Sequence, residues 1–182
     1  MSKRQVHIVG ICGSLRKDSW NRKLLFNASQ LLPNDYRFTL ADISSIPPFN
    51  EDLESQLPQP VTDLARLAES ADAFLISTPE YNYSVPGVLK NVLDWLSRPS
   101  AGAPLALKPV AIMGATPGLF GTARAQTHLR DILFGVNMVP VNRPEVLVPQ
   151  VHTKFDEHGM LTDATTRNFL QQLMDALVAS IR

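Results

Sequence analysis

The chain has 182 residues, of which 45% are apolar and 19% are charged, so we predict a single domain over residues 1–182. Its 17 basic residues balance 17 acidic ones and form no Lys/Arg block, which excludes the long-range field that binding to nucleic acid or an anionic membrane would need. The single cysteine, Cys12, excludes an internal disulfide and suits a reducing cytoplasm, and the first apolar run is too short for a signal peptide or a membrane span. We therefore expect a cytoplasmic protein that acts on a small molecule, with no nucleic-acid partner, no membrane insertion and no metal.

Five short apolar runs are typical of strands. In chain order they are QVHIVGI (5–11), FTLA (38–41), AFLIS (73–77), PVAIMG (109–114) and NMVPV (137–141). Several of them lack polar alternation, as expected when helices cover both faces of a parallel sheet. Residues 43–60 are rich in proline and are predicted to form a surface excursion.

Helical patterns separate the strands, at residues 24–32, 88–96, about 120–134 and 169–181. The last helix has Thr162 or Asp163 as its candidate N-cap and carries Phe169 on its apolar face. Alternation of strands and helices predicts a doubly wound α/β sheet that binds its ligand at the carboxyl ends of the strands. The loops after the first, third and fourth strands are therefore the candidate site.

The loop after the first strand, GSLRKDSWN (13–21), has the composition of a phosphate site. The hydroxyls of Ser14 and Ser19, the guanidinium of Arg16 and the N–H groups at the start of a helix are complementary donors for a phosphate. The alternative interpretation is that Ser19 only caps the helix, that Asn21 lies in its first turn and that Arg16 is solvated.

Other phosphate motifs fail on spacing. A Walker loop needs a second glycine, followed by lysine, five residues after the first, but the residue five after Gly13 is Asp18. A cysteine phosphatase needs an arginine six residues after its cysteine, but the residue six after Cys12 is again Asp18. Asp42, after the second strand, could act as a ribose ligand, so a Rossmann dehydrogenase remains a weak alternative.

The loop after the third strand, PEYNYS (79–84), suits the edge of a planar heterocycle. Tyr81 and Tyr83 provide flat amphipathic surface, and Asn82 provides both a donor and acceptors. Glu80 is a candidate acid without a paired base or second carboxylate in the sequence. The alternative is a rigid turn whose tyrosines pack on the neighbouring helix.

Four segments in this order resemble the NADPH-dependent FMN reductase family, in particular its chromate, quinone and azo-dye reductase branch. They are GSLRKDSWN (13–21), IPPFNEDLE (46–54), TPEYNYSVPGVLKNVLDWLSRP (78–99) and GATPGLFGTARAQTHLR (114–130). The resemblance implies a flavodoxin-like fold with strand order 2-1-3-4-5 and FMN bound without a covalent link. It implies that FMN contacts Ser14, Leu15, Arg16, Lys17, Ser19, Trp20, Asn21, Pro79, Glu80, Tyr81, Asn82, Thr116 and Gly118.

Two residues depart from the family pattern. Asp18 occupies a position where related sequences often have glycine, and Thr122 replaces the second glycine of a common Gly-Gly pair. We expect Asp18 to face solvent, where its charge could still weaken FMN binding.

The resemblance also implies the reaction. FMN would accept a hydride from NAD(P)H and pass electrons to a small acceptor such as a quinone, an azo dye, chromate or free flavin, in ping-pong order and without a catalytic side chain. A preference for NADPH would have to come from surface groups such as Lys17 or Arg124. The alternatives are a flavodoxin-like electron carrier, although carriers of that type are usually strongly acidic, and an FMN-binding module without reductase activity.

We further expect a homodimer, or a dimer of dimers, since flavin sites of the family lie at subunit edges. The helix PGVLKNVLDWLSRP has apolar residues to spare for an interface, Trp95 among them, although Trp95 could equally lie in the core.

Overall fold

A parallel sheet flanked by helices makes up the computed structural model, which describes residues 4–181. Its strands are β1 (Val6–Cys12), β2 (Tyr36–Leu40), β3 (Ala73–Ser77), β4 (Pro109–Ala115), β5 (Val139–Pro140) and β6 (Val146–Val148). Its helices are α1 (Trp20–Ser29), α2 (Gln59–Glu69), α3 (Gly87–Leu96), α4 (Ala123–Gly135) and α5 (Ala164–Ser180). None of the helices within residues 4–181 has both the length and the apolar character needed to cross a bilayer.

The strand order is β2-β1-β3-β4-β5 with every pairing parallel, which confirms the predicted flavodoxin-like fold. The fifth strand position is divided, however, because β5 pairs with the start of β4 and β6 pairs with its end. Pro140 and Pro144 lack the N–H that a continuous strand would donate. The apolar run 137–141 predicted only the first half of this position, and Val146–Val148 was not predicted.

Both faces of the sheet are buried, which explains why the strand sequences do not alternate. In β3, Ala73 and Leu75 point into a core shared with α1 and α5, whereas Phe74 and Ile76 point into a core shared with α2, α3 and α4. All four side chains are fully buried. This two-layer burial holds the strand ends, and hence the loops that follow them, on a rigid base.

Several helix predictions need correction. Helix α2 was missed, although its buried Val61, Leu64, Ala65 and Ala68 follow helix spacing. Residues 31 and 32 lie beyond the end of α1, and Phe169 is 43% exposed instead of lying in the core.

Trp95 is fully buried and donates a hydrogen bond from Nε1 to the carbonyl of Pro47 at 2.9 Å. It also packs edge-on against Phe49, with ring centroids 4.9 Å apart. The proline-rich segment is thereby attached to α3 by a core residue. Trp95 is consequently not free for a subunit interface.

Asp163, one of the two predicted candidates, is the N-cap of α5. Lys154 Nζ donates to its Oδ2 at 2.8 Å, and the N–H and hydroxyl of Thr166 donate to its Oδ1 at 2.9 and 2.6 Å. These bonds, that of Lys154 first, lower the pKa of Asp163 from 3.8 to about 2.

Replacing Asp163 with alanine is expected to lower the free energy of unfolding by about 1–2 kcal/mol at neutral pH, the usual effect of losing an N-cap. Because the folded-state pKa lies below the unfolded value of 3.8, the contribution of the carboxylate is present above about pH 4 and is lost as the pH falls toward 2. Urea unfolding should therefore show a difference from the wild type that shrinks in acid. Asp175→Ala, on the exposed side of the same helix, is the control, and a pH-independent difference would contradict the assignment.

Candidate functional site

Three loops meet at the carboxyl edge of the sheet, as predicted. The first loop (residues 13–19) joins β1 to α1, the second loop (78–86) joins β3 to α3, and the third loop (116–122) joins β4 to α4. Hydrogen bonds join their bases, since the N–H of Gly13 donates to the carbonyl of Ser77 at 2.8 Å and that of Thr78 donates to the carbonyl of Met113 at 3.0 Å.

The amide of Asn21 strengthens this junction. Its Nδ2 donates to the carbonyl of Ala115 at 3.0 Å, while its Oδ1 accepts from the N–H of Ala115 and from the hydroxyl of Ser77, both at 2.9 Å. Asn21 is 3% exposed. Its side chain therefore holds β3 and β4 to α1, and a contact of Asn21 with FMN stays a prediction.

The first loop offers hydrogen-bond donors that the protein itself does not use. Within residues 4–181, the backbone N–H groups of residues 17–21 meet no protein acceptor. Arg16 is exposed and has no carboxylate partner in that same range. Ser14 is buried, and its Oγ accepts from the N–H of Arg16 at 3.3 Å, which leaves its hydroxyl hydrogen to donate. This donor set fits a phosphate, and hence the phosphate end of FMN.

The remaining residues of the first loop either cap α1 or face solvent. Ser19 caps α1 by accepting from the N–H of Arg22 at 3.3 Å, as the alternative interpretation held. Leu15, Lys17 and Asp18 are exposed, so Asp18 faces solvent as expected.

Trp20 anchors the first loop to a distant segment. Its ring packs on Phe155 with centroids 5.5 Å apart, and Lys23 Nζ lies 4.4 Å from the ring centre. A contact of Trp20 with FMN remains a prediction.

The second loop contains a tight turn. The N–H and carbonyl groups of Tyr81 and Ser84 exchange two hydrogen bonds of 3.0 Å, and the central residues Asn82 and Tyr83 have φ of 49° and 68°. Positive φ at both positions is what a type I′ turn requires, and it is unusual for an aromatic residue. Tyr81 and Tyr83 are 49% and 66% exposed, so a large part of each residue is presented to solvent.

Glu80 is not a free acid. Its carboxylate pairs with the guanidinium of Arg124, and its Oε2 accepts from the N–H groups of Arg124 and Ala125 at 3.0 and 3.2 Å, at the start of α4. Burial would raise the pKa of Glu80, but these hydrogen bonds outweigh burial and lower it. The pairing also removes Arg124 as a free cation for the 2′-phosphate of NADPH.

The third loop turns sharply at Thr122. This residue is fully buried and lies in the left-handed region, with φ 73° and ψ 20°, a conformation that costs a β-branched residue energy but not a glycine. A β-carbon on Gly114 would lie 2.0 Å from Thr122 Oγ1, so the loop also depends on glycine at that strand position. At Gly118 an added β-carbon would meet only Thr116 Oγ1, at 3.8 Å, which leaves space above the loop.

Two hollows lie near or away from this edge. One of about 940 Å³ lies between β6 and the start of α5, and one of about 390 Å³ is lined by Ser14 and Leu15 of the first loop together with Asp42. Asp42 Oδ1 accepts from the N–H and hydroxyl of Ser44, so the carboxylate of this candidate ribose ligand stabilises the turn in which it lies. We place the site at the open edge because its donors lack acceptors. Within residues 4–181, no three His, Cys, Asp or Glu side chains are grouped so as to hold a metal ion.

Comparison with known proteins decides the family. Residues 6–153 of the chain match the NADPH-dependent FMN reductase family. The chain belongs to this family. An NAD(P)H-dependent FMN reductase of Pseudomonas aeruginosa is 45% identical over 178 residues, 97% of this chain and 96% of its own length. A 2-hydroxy-1,4-benzoquinone reductase of a Burkholderia species is 39% identical over 175 residues, 96% of each chain.

A solved structure agrees with these relatives. The flavoenzyme FerB of Paracoccus denitrificans, an NAD(P)H:(acceptor) oxidoreductase, is 38% identical, superposes with a TM-score of 0.89 and covers 97% of both chains. The chain is thus an oxidoreductase of the NADPH-dependent FMN reductase family, with FMN as its cofactor and NAD(P)H as its electron donor.

Replacing Asn21 with alanine is expected to lower the free energy of unfolding by about 2–4 kcal/mol, because it leaves buried backbone groups of Ala115 without partners. Urea unfolding of the protein without cofactor measures the loss. Asn168→Ala, at an exposed position of α5, is the matched control and should change stability far less. If the two variants were equally stable, Asn21 would not hold the strand ends together.

Proposed function

We propose that this chain passes electrons from NAD(P)H through FMN, held by the three loops, to a quinone-type acceptor. The observation that carries the proposal is the first loop, where the N–H groups of residues 17–21, the Ser14 hydroxyl hydrogen and the Arg16 guanidinium have no protein acceptor within residues 4–181. The Burkholderia relative is named for reduction of a benzoquinone, which favours quinones over the azo dyes, chromate and free flavin that the family branch also implies.

The loops would divide the cofactor between them. The hydroxyls of Ser14 and Ser19, Arg16 and the N–H groups of residues 17–21 would hold the phosphate, flanked by Leu15, Lys17 and Trp20. The second loop would border the ring through residues 79–82, and the third through Thr116 and Gly118. When bound, FMN supplies the capacity to take a hydride from a nicotinamide and to deliver electrons to a second acceptor.

The chain's own contribution is binding and orientation. Glu80, which is paired, does not serve as a proton donor in this scheme, and the proposal needs no catalytic side chain. Tyr81 and Tyr83 edge a surface open to solvent, and both the nicotinamide and the acceptor would have to use it. Sharing one surface requires the first product to leave before the acceptor binds, so we infer ping-pong kinetics.

A partner-free assay tests the proposal. Purified protein should show the absorbance of bound flavin, lose it when NAD(P)H is added without oxygen, and regain it with 1,4-benzoquinone. Steady-state oxidation of NAD(P)H at several benzoquinone concentrations should give parallel double-reciprocal lines. A flavin-loaded protein that reduces quinone only when a second protein is added would be an electron carrier instead, and a protein that rejects FMN would be a module without this activity.

Arg16→Ala tests the phosphate assignment. Losing a charge-assisted bond should weaken FMN binding by about 10- to 150-fold, equivalent to roughly 1.5–3 kcal/mol. Riboflavin, which lacks the phosphate, should bind the variant and the wild type equally weakly in a fluorescence-quenching titration of the apo-protein. Equal losses for both flavins would contradict the assignment.

Asp18→Gly is the complementary variant to Arg16→Ala. Removing a like charge from the phosphate loop should leave FMN affinity unchanged or tighter, with no effect on riboflavin. A weaker FMN complex would show that Asp18 supports the loop.

Assembly and location are also part of the proposal. We propose a homodimer or a dimer of dimers, supported by exposed apolar side chains at Leu107, Phe134 and Val139, which are 71%, 85% and 49% exposed. We also propose one domain over residues 1–182, placed in the cytoplasm in keeping with the unpaired, buried Cys12.

A further inference from the structure

Arg124 joins the second loop to the third. Its guanidinium carbon lies 3.7 Å from the ring centre of Tyr83 and 4.5 Å from that of Phe120. Tyr83 belongs to the second loop and Phe120 to the third, and the two rings are 66% and 65% exposed. Stacking of a guanidinium on an aromatic ring is favourable, so Arg124 restrains two rings that would otherwise project freely into solvent.

Glu80 fixes Arg124 in that position. Arg124 Nε donates to Glu80 Oε1 at 2.6 Å, and the other carboxylate oxygen accepts two backbone N–H groups of α4. The side chain of Glu80 is 8% exposed, whereas that of Arg124 is 35% exposed. The arginine is therefore held by a nearly buried carboxylate that is itself attached to a helix, and it cannot swing out without breaking several bonds.

The pair of Glu80 and Arg124 also determines the net charge of the second and third loops. Glu80 and Arg124 are the only acidic or basic residues in the segments 78–86 and 116–124. Their charges cancel at contact distance, and the exposed residues Tyr81, Tyr83, Leu119 and Phe120 of the same two segments add no charge. Charged residues such as Arg16 lie on the first loop and are not counted in these two segments.

We propose that Arg124, clamped by Glu80 and by the rings of Tyr83 and Phe120, is a specificity-determining residue that joins the second and third loops into one uncharged aromatic rim. The rim is electrically neutral, so it admits flat, uncharged electron acceptors and adds no attraction for anionic ones. This inference rests on the proposed function, since it concerns which acceptors reach the same site. Arg124 acts here through the position of the loops and through local charge, and it takes no part in bond making.

Hydrogen exchange of the apo-protein tests the mechanical part without any activity. Arg124→Met keeps the length of the side chain but removes its charge and its hydrogen bonds, and it should speed exchange in peptides covering both residues 79–86 and residues 117–126. Arg66→Met, which removes an arginine from the exposed ion pair with Asp63 on α2, is the matched control and should change neither peptide. Unchanged exchange in the Arg124 variant, or a change in one loop only, would overturn the joining of the loops.

Acceptor selectivity tests the electrostatic part. The readout is the ratio of kcat/KM for ferricyanide, an anion, to kcat/KM for 1,4-benzoquinone, which is neutral. Glu80→Gln leaves Arg124 uncompensated and should raise the ratio about fivefold, while Arg124→Met leaves Glu80 uncompensated and should lower it about as much. The changes in the ratio should lie in KM for the acceptor and should fade at high salt.

Arg124→Lys separates the two roles. Lysine keeps the charge but lacks the planar fork, so the variant should keep the wild-type ferricyanide ratio and lose the exchange protection. Shifts of the same sign in Glu80→Gln and Arg124→Met, or a ratio within twofold of wild type in both, would overturn the charge assignment. A wild-type protein that reduces neither acceptor would refute the proposed function, and the exchange experiment would still decide whether the clamp exists.

Discussion

Two strand ends at the carboxyl edge of the sheet, those of β3 and β4, meet through one buried amide, that of Asn21. Polar groups buried at this depth are costly unless they are hydrogen-bonded, and the amide of Asn21 makes three such bonds. The amide belongs to the first turn of α1, so it also sets where that helix begins relative to the sheet. The first loop must therefore span a fixed gap between the end of β1 and the start of α1.

That constraint separates polar groups that build the edge from those left for a ligand. The side chains of Asn21 and Glu80 bond to backbone groups or to Arg124, and these two residues build the edge. Within residues 4–181, the backbone N–H groups of residues 17–21 and the guanidinium of Arg16 are the donors that these bonds leave unused. A phosphate at this place would complete the hydrogen bonding of the loop, which is why a dianionic ligand suits it better than a neutral one.

The other two loops hold backbone conformations that need outside support. Thr122 and Tyr83 both have positive φ although neither is glycine, and each conformation is held by a neighbour. Thr122 is held by Gln126, which donates to its hydroxyl at 3.0 Å, and Tyr83 is held by the turn bonds and by Arg124. Such strain is tolerated where the surrounding structure determines the position, as the paired strand ends do here.

The sequence by itself determined the fold and predicted where the candidate site lies. Uninterrupted apolar strands that alternate with helical patterns favour a doubly wound parallel sheet, and the motifs after β1, β3 and β4 predict a ligand at its carboxyl edge because all parallel strands end on the same side. The second loop and the helix that follows it, the segment PEYNYSVPGVLKNVLDW, also indicated membership in the FMN reductase family.

Only the tertiary structure decided what each side chain in the site does. Asn21 reads as a first-turn residue of a helix, and its partners Ser77 and Ala115 lie 56 and 94 residues further along the chain. Glu80 and Arg124 are 44 residues apart, and no local pattern indicates that one neutralises the other. The division of the fifth strand and the burial of Trp95 were likewise beyond sequence patterns. Propensity and periodicity report on neighbours within a few residues, whereas hydrogen-bond partners across strand ends are brought together only when the whole sheet is assembled.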